Sequence, residues 1–121
     1  MNIIGELKKA VDYHRVGQLD KAREIYMRLN AEAYFDLGNA YQQLNRFNDA
    51  IAAYQSALKI NPLMAEAHNN LGVALFNSDQ VEEALSHYQR ALQLRTEYVE
   101  AYINAGNALK KQERFTEALL W

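Results

Sequence analysis

The side chains in this sequence that could support acid–base, nucleophilic or metal chemistry are few and far apart. The histidines are His14, His68 and His87, and the sequence contains no cysteine. No two histidines have the close spacing of a zinc site, and no serine lies in a Gly-x-Ser-x-Gly turn. The sequence therefore predicts no catalytic residues, no metal site and no cofactor, and we expect a protein that is not an enzyme.

Glu82 and Glu83 form an adjacent pair of carboxylates, an arrangement that can suggest general acid–base catalysis. The surrounding stretch "QVEEALSHYQRAL" predicts that both lie in the first turn of a helix. Acidic side chains are favoured there because the amino end of the helix dipole is positive. Similar acidic residues recur at Asp49 and Glu117, so we interpret all four as helix-stabilising charges.

Composition and charge exclude several classes of function. The chain has 121 residues, a formal net charge of -2 and 50% hydrophobic residues, which is typical of a folded globular domain. Its basic residues form no block of five or more, so the footprint of a nucleic-acid or anionic-membrane binder is missing. No segment approaches the roughly 20 apolar residues of a membrane span, and no signal peptide is recognisable. We therefore expect a cytoplasmic protein with no nucleic-acid partner.

A repeat with a constant period organises the chain. Gly38, Gly72 and Gly106 are evenly spaced, and Ala50 and Ala84 keep the same interval. With one proline and five glycines in the whole chain, almost every segment favours helix. A constant period of about 34 residues predicts stacked helical units.

The repeated residues resemble the tetratricopeptide repeat family in this pattern: Tyr34-x2-Leu37-Gly38-x2-Tyr41, Ala50-x3-Tyr54 and Pro62. The resemblance implies an all-α solenoid of helix-turn-helix units that forms a right-handed superhelix. We expect a single domain over 1–121, with units at about 1–30 (shortened), 31–64, 65–98 and 99–121 (truncated). Small residues such as Gly38 allow the two helices of a unit to approach closely, and Pro62 ends the second helix.

The turn inside each unit usually carries glycine in this family. Here it is Gly17 in the first unit, and Asn45, Asp79 and Glu113 take its place in the later units. Asn and Asp tolerate the left-handed backbone, whereas glutamate does so less well.

The stretch "YMRLNAEAYFDLG", from Tyr26 to Gly38, departs from the repeat. The interval from Tyr26 to its equivalent, Tyr54, is six residues shorter than the repeat, and the deficit falls where a turn is expected. One outcome is a fused long helix from about Asp20 to Leu44, and the other is a tight turn at Asn30. A fused helix would leave apolar surface on the second unit uncovered, and homo-oligomerisation by domain swapping could cover it.

In this family the first helix of each unit lines a concave groove. The resemblance therefore implies a partner-binding groove at these positions: Asp36, Asn39, Asn70, Val73, Phe76, Asn104, Asn107 and Lys110. Asparagine carries both a donor and an acceptor, so a row of asparagines can pair with successive peptide groups of a ligand. Such a row is similar to the asparagine ladder in the repeat domain of O-linked N-acetylglucosamine transferases, although Asp36 interrupts it. The alternative is that Asn70 and Asn104 are solvated or structural.

Another subgroup of the family binds the carboxyl terminus of heat-shock chaperones through Lys, Asn, Asn, Lys and Arg. The corresponding positions here hold Phe35, Asn39, Asn70, Glu100 and Asn104. Since every cation of that clamp is absent, we do not expect a chaperone-tail adaptor.

The leading hypothesis is a non-catalytic scaffold that binds a peptide or protein helix in the groove. A second hypothesis is the substrate-recruiting fragment of a larger enzyme, such as a glycosyltransferase, because the sequence ends abruptly at "TEALLW" without a polar cap. A third is self-assembly through domain swapping or end-to-end packing.

Two histidines also have a predicted position: His68 replaces a repeated tyrosine and is expected to pack, and His87 is expected at the surface.

Overall fold

Helix occupies almost all of the chain. The computed structural model describes the backbone of residues 3–120 and the side chains of residues 4–18, 21–22 and 24–114. The helices, in chain order, are α1 (Ile3–Arg15), α2 (Leu19–Gln43), α3 (Phe47–Ile60), α4 (Ala65–Asn77), α5 (Val81–Leu94) and α6 (Val99–Leu120). No strand occurs between residues 3 and 120, so the predicted all-α class is confirmed. None of the described helices is long and apolar enough to cross a bilayer.

Residues with a left-handed backbone end three of the helices. The φ angle is 80° at Gly17, 58° at Asn45 and 64° at Asp79, all at the repeat position predicted for the turn. The fourth residue at this position, Glu113, lies inside α6, which continues to Leu120. Glutamate lacks the tolerance of glycine, asparagine and aspartate for this backbone conformation, which accounts for the continuous helix. Trp121, the last residue of the stretch "TEALLW", lies outside the described residues.

Helix α2 passes without a break through the segment in which six residues are missing. It runs for 25 residues and includes Asn30, which gives a length of about 37 Å at 1.5 Å per residue. The fused helix is confirmed and the tight turn at Asn30 is wrong. No glycine or proline lies between Leu19 and Leu37, so nothing in the backbone there opposes helix. By contrast, α3 ends at Ile60 and Asn61 is extended, as expected for a residue before proline.

Close contacts between glycine and tyrosine hold the two helices of a unit together. A Cβ atom built on Gly38 would lie 2.5 Å from Cε1 of Tyr54, and Gly72 faces Tyr88 in the same way. Tyr54 and Tyr88 are among the largest fully buried side chains and join one apolar core that extends from α2 to α6. The predicted role of the small residue at Gly38 is therefore confirmed. This packing also aligns α2, α4 and α6 side by side.

Candidate functional site

A run of asparagine side chains crosses the three aligned helices. Asn70 Nδ2 on α4 donates to Asn39 Oδ1 on α2 over 3.0 Å. On the other side, Asn104 Nδ2 on α6 donates to Asn69 Oδ1 on α4 over 3.0 Å. Asn69 Nδ2 donates to Asn70 Oδ1 over 3.4 Å and closes the gap between the two pairs. Four amides thus form one hydrogen-bonded row across α2, α4 and α6, which we call the asparagine row.

Asn69 is the member of the row that sequence reasoning missed. It is fully buried, whereas the other three asparagines are partly buried. Phe35 and Ile103 occupy the same repeat position. A single asparagine at an otherwise apolar position was the signal, since a buried amide needs hydrogen-bond partners.

Two further side chains fix one end of the asparagine row. The Tyr54 hydroxyl donates to Asn39 Oδ1 over 2.5 Å and accepts from Gln42 Nε2 over 3.2 Å. Gln42 Nε2 also donates to the backbone oxygen of Asn70 over 3.2 Å. Burial raises the pKa of Tyr54 above its usual range, so the hydroxyl keeps its proton and remains a donor. The orientation of Asn39 is therefore set by the core below it.

The asparagine row still has hydrogen-bonding capacity to offer a ligand. An amide side chain provides two N–H donors and an oxygen with two lone pairs. The internal bonds use Asn39 Oδ1 and Asn104 Nδ2, and no described residue bonds Asn39 Nδ2 or Asn104 Oδ1. One end of the row therefore presents a donor, Asn39 Nδ2, and the other end presents an acceptor, Asn104 Oδ1.

The remaining predicted groove residues fall into two groups. Phe76, Asn107 and Lys110 line a cavity of about 390 Å³ between α4 and α6, together with Lys111 and Arg114. Lys111 Nζ lies 4.5 Å from the centre of the Phe76 ring and 2.9 Å from Asp79 Oδ1. This end of the face is aromatic and cationic.

Val73 and Asp36 lie apart from that cavity. Val73 is partly buried and packs against the apolar core. Asp36 is exposed on α2 and forms no hydrogen bond or ion pair with a described residue. The eight predicted positions thus comprise an amide centre, an aromatic and cationic end, one core-packing side chain and one exposed carboxylate.

A stacked histidine pair lies between α4 and α5. The ring centres of His68 and His87 are 5.3 Å apart, and their Nδ1 atoms are 3.1 Å apart. His68 Nε2 lies 3.2 Å from the Pro62 backbone oxygen, so this nitrogen donates, and His87 Nδ1 then donates to His68 Nδ1. His68 packs as predicted, but the expected surface position of His87 is wrong because its ring is half-buried against His68.

Protonation of this pair is expected to destabilise the fold. Burial lowers the pKa of both rings below the usual 6.5, and for His87 the neighbouring His68 lowers it further. Below pH 6.5 the unfolded chain therefore binds more protons than the folded chain, so the free energy of unfolding falls with acidification. Above that pH this contribution to stability is complete. Urea unfolding at intervals between pH 7.5 and 5.0 measures the slope of the free energy of unfolding against pH.

The matched variant for this test is provided by the preceding unit, which has Tyr34 and Ala53 at the equivalent positions. A chain with both His68→Tyr and His87→Ala should show a flatter pH dependence, whereas His14→Ala, at an exposed position, should retain the slope. An equal slope in the double variant would assign the pH dependence to other groups.

Comparisons with known proteins agree with this architecture. A tetratricopeptide repeat family model matches residues 35–99 and 76–121. The structure of MamA has a TM-score of 0.69 and 26% identity, with 98% of this chain and 72% of that chain covered. The Arabidopsis OM64 TPR domain has a TM-score of 0.71 and 25% identity, with 76% of each chain covered. No curated protein sequence matches significantly.

A third similar structure contains a ligand. The first TPR of Spaghetti (RPAP3), bound to the HSP90 peptide SRMEEVD, has a TM-score of 0.70 and 23% identity and covers 92% of this chain and 93% of that chain. At this level of identity the likeness concerns the fold.

Among the described residues, no three His, Asp or Glu side chains are grouped as metal ligands.

Proposed function

Since this chain belongs to the tetratricopeptide repeat family, we propose that it is a non-catalytic scaffold that holds an extended segment of a partner protein across α2, α4 and α6. The asparagine row is the observation that carries this proposal. Its amides are oriented by their own hydrogen bonds, and Asn39 Nδ2 and Asn104 Oδ1 remain available at its two ends. Peptide N–H and C=O groups are the natural partners of such amides.

A similar domain supports a peptide as the kind of ligand. The first TPR of Spaghetti (RPAP3) has been solved with a bound heptapeptide. The residues that would hold a terminal carboxylate differ here, since Phe35 and Glu100 replace cations of the chaperone clamp. We therefore propose that the ligand is an internal segment of a partner protein and not a chain terminus.

The cavity at the α6 end supports a preference for one kind of ligand side chain. Lys110 and Arg114 are exposed there beside Phe76 and Asn107. An acidic side chain of the ligand can pair with these cations, and an aromatic or aliphatic one can cover the Phe76 ring. We propose a segment with an acidic residue that lies over this cavity, while the asparagine row binds its backbone.

The test is a selection from a peptide display library followed by titration of the enriched peptides, with fluorescence polarisation as the readout. A variant with Asn70→Ala and Asn104→Ala should lower the affinity at least about tenfold, which corresponds to a loss of about 1.4 kcal/mol. The physical reason is that two amides of the asparagine row can no longer bind the backbone of the ligand. Lys110→Glu should lower it selectively for peptides that carry an acidic residue.

The matched control is Gln55→Ala with Gln89→Ala. These two amides are also one repeat apart, but they are exposed on α3 and α5, away from the asparagine row. Binding should be unchanged in this control. Equal affinity of the Asn70 and Asn104 variant and the control for the selected peptides would refute the proposed role of the row.

A further inference from the structure

The fused helix α2 leaves an apolar stripe without cover. We call Tyr26, Leu29, Ala33 and Leu37 the α2 stripe. At 100° per residue these four positions lie within about 80° of one another around the helix. Tyr26 is 38% exposed and Leu37 is 42% exposed. The residues at the same repeat positions, Tyr54 and Leu71, are 0% and 1% exposed.

This difference in exposure arises at the junctions between units, where the second helix of one unit packs against the first helix of the next. Tyr54 on α3 and Leu71 on α4 belong to one buried cluster, because α3 and α4 are connected by a turn and pack against each other. Ala91 on α5 and Ala101 on α6 share a second buried cluster at the next junction. The first junction of the chain contains the equivalent residues but lacks the turn.

Within α2 these residues cannot reach each other. Tyr26 and Leu37, the equivalents of Tyr54 and Leu71, are 11 residues apart on one continuous helix. That separation is about 16 Å along the axis. The helix-to-helix contact of the first junction is therefore missing inside the chain, and the predicted uncovered surface is present.

We propose that a second copy of this chain supplies the missing contact, and that two α2 helices pack antiparallel around a two-fold axis. Tyr26 of each copy then faces Leu37 of the other, and their equivalents, Tyr54 and Leu71, lie in one buried cluster. The midpoint of this pair lies between residues 31 and 32. Leu29 and Ala33, the equivalents of Ala91 and Ala101, have their midpoint at residue 31.

Both residue pairs place the symmetry axis at nearly the same point of α2, as a single antiparallel packing of two helices requires. Because α2 carries the residues of both sides of a junction, a second copy presents the complementary residues, which is the reason to assign the stripe to it and not to an unrelated protein. The resulting interface is isologous, since the same residues meet on both sides, and it closes without exposing a further copy of the stripe. Each copy would thus supply the helix-to-helix contact that the first junction of its partner lacks.

The proposed interface is separate from the asparagine row. Asn39 lies about 120° around the helix from the centre of the stripe, and about 160° from Leu37, its nearest member along the chain. Dimerisation through α2 therefore leaves the asparagine row free, and its test is independent of peptide binding.

Sedimentation equilibrium between about 1 and 100 µM tests the assembly, because this concentration range detects dissociation constants down to the micromolar level. We expect a dimer with twice the 13.9 kDa mass of the chain. Leu37→Glu and Tyr26→Glu should each raise the dissociation constant at least tenfold, and circular dichroism should still show a folded helix because both positions are half-exposed. Tyr102→Glu, an exposed tyrosine on α6, is the control and should leave the dimer intact.

Cysteine cross-linking tests the register directly, since the natural chain has no cysteine. Mixing Leu29→Cys protein with Ala33→Cys protein should give a disulfide-linked heterodimer under mild oxidation. A mixture of Tyr102→Cys with Ala33→Cys protein should give none. A monomer at 100 µM, or a dimer that Tyr102→Glu disrupts and Leu37→Glu does not, would overturn the proposal.

Discussion

Gly72→Ala is expected to lower the free energy of unfolding by about 3 kcal/mol, although alanine is the better helix former. The added methyl group would overlap the Tyr88 ring at its Cε1 and Cδ1 atoms. Tyr88 is buried in the core and cannot swing away without opening a cavity. Either α4 moves away from α5 or the ring is displaced, and both changes lose packing at the centre of the domain. Urea unfolding at pH 7.5 measures the loss.

Gly106→Ala is the matched control, since Gly106 has the same repeat position on α6. No described atom lies within 4 Å of a Cβ built there. Alanine should therefore raise the free energy of unfolding by about 0.5–1 kcal/mol through its higher helix propensity alone. The two substitutions should act with opposite sign. A loss of stability in both would mean that backbone conformation, and not the contact with tyrosine, requires glycine at this position.

Tyr54→Ala should cost about 3–5 kcal/mol, the usual cost of removing a large aromatic ring from a core. Tyr54 is fully buried, its ring fills the space above Gly38, and its hydroxyl bonds Asn39 and Gln42. Thermal and urea unfolding should both show the loss. The substitution should also loosen Asn39, so peptide affinity should fall in parallel with stability.

Two further variants separate the contributions of Tyr54. Tyr54→Phe keeps the ring and removes the hydroxyl, which should cost about 1–2 kcal/mol because Asn39 and Gln42 lose a hydrogen-bond partner. Tyr102→Ala removes a tyrosine that is 57% exposed on α6 and should change stability by no more than about 0.5 kcal/mol. If Tyr102→Ala cost as much as Tyr54→Ala, burial would not be the cause of the loss.

The repeat pattern predicted the local structure of this chain well. Gly38 against Tyr54, the left-handed residues Asn45 and Asp79, and the end of α3 before Pro62 all follow from residue types at fixed spacing. The fused helix α2 was one of two outcomes that the six-residue deficit left open. Such features depend on backbone preferences and on contacts within one helical unit, which a sequence period records directly.

Contacts between units were harder to predict. The sequence placed Asn39, Asn70 and Asn104 on the first helices of their units, but it left open whether these amides were solvated or structural. Their mutual hydrogen bonds through Asn69 depend on the spacing and angle of three packed helices. The half-buried His87 has the same origin, because its environment is set by the opposing ring of His68 on another helix.

The sequence by itself determined the all-α repeat, the helix ends marked by glycine, asparagine, aspartate and proline, and the place where the repeat contracts. Backbone conformation and helix propensity act over a few residues, so a single chain segment is enough to specify them. The tertiary structure alone decided which amides meet across helices and which side of α2 stays uncovered. Both depend on which helix lies opposite another, and that is settled only when the units pack together.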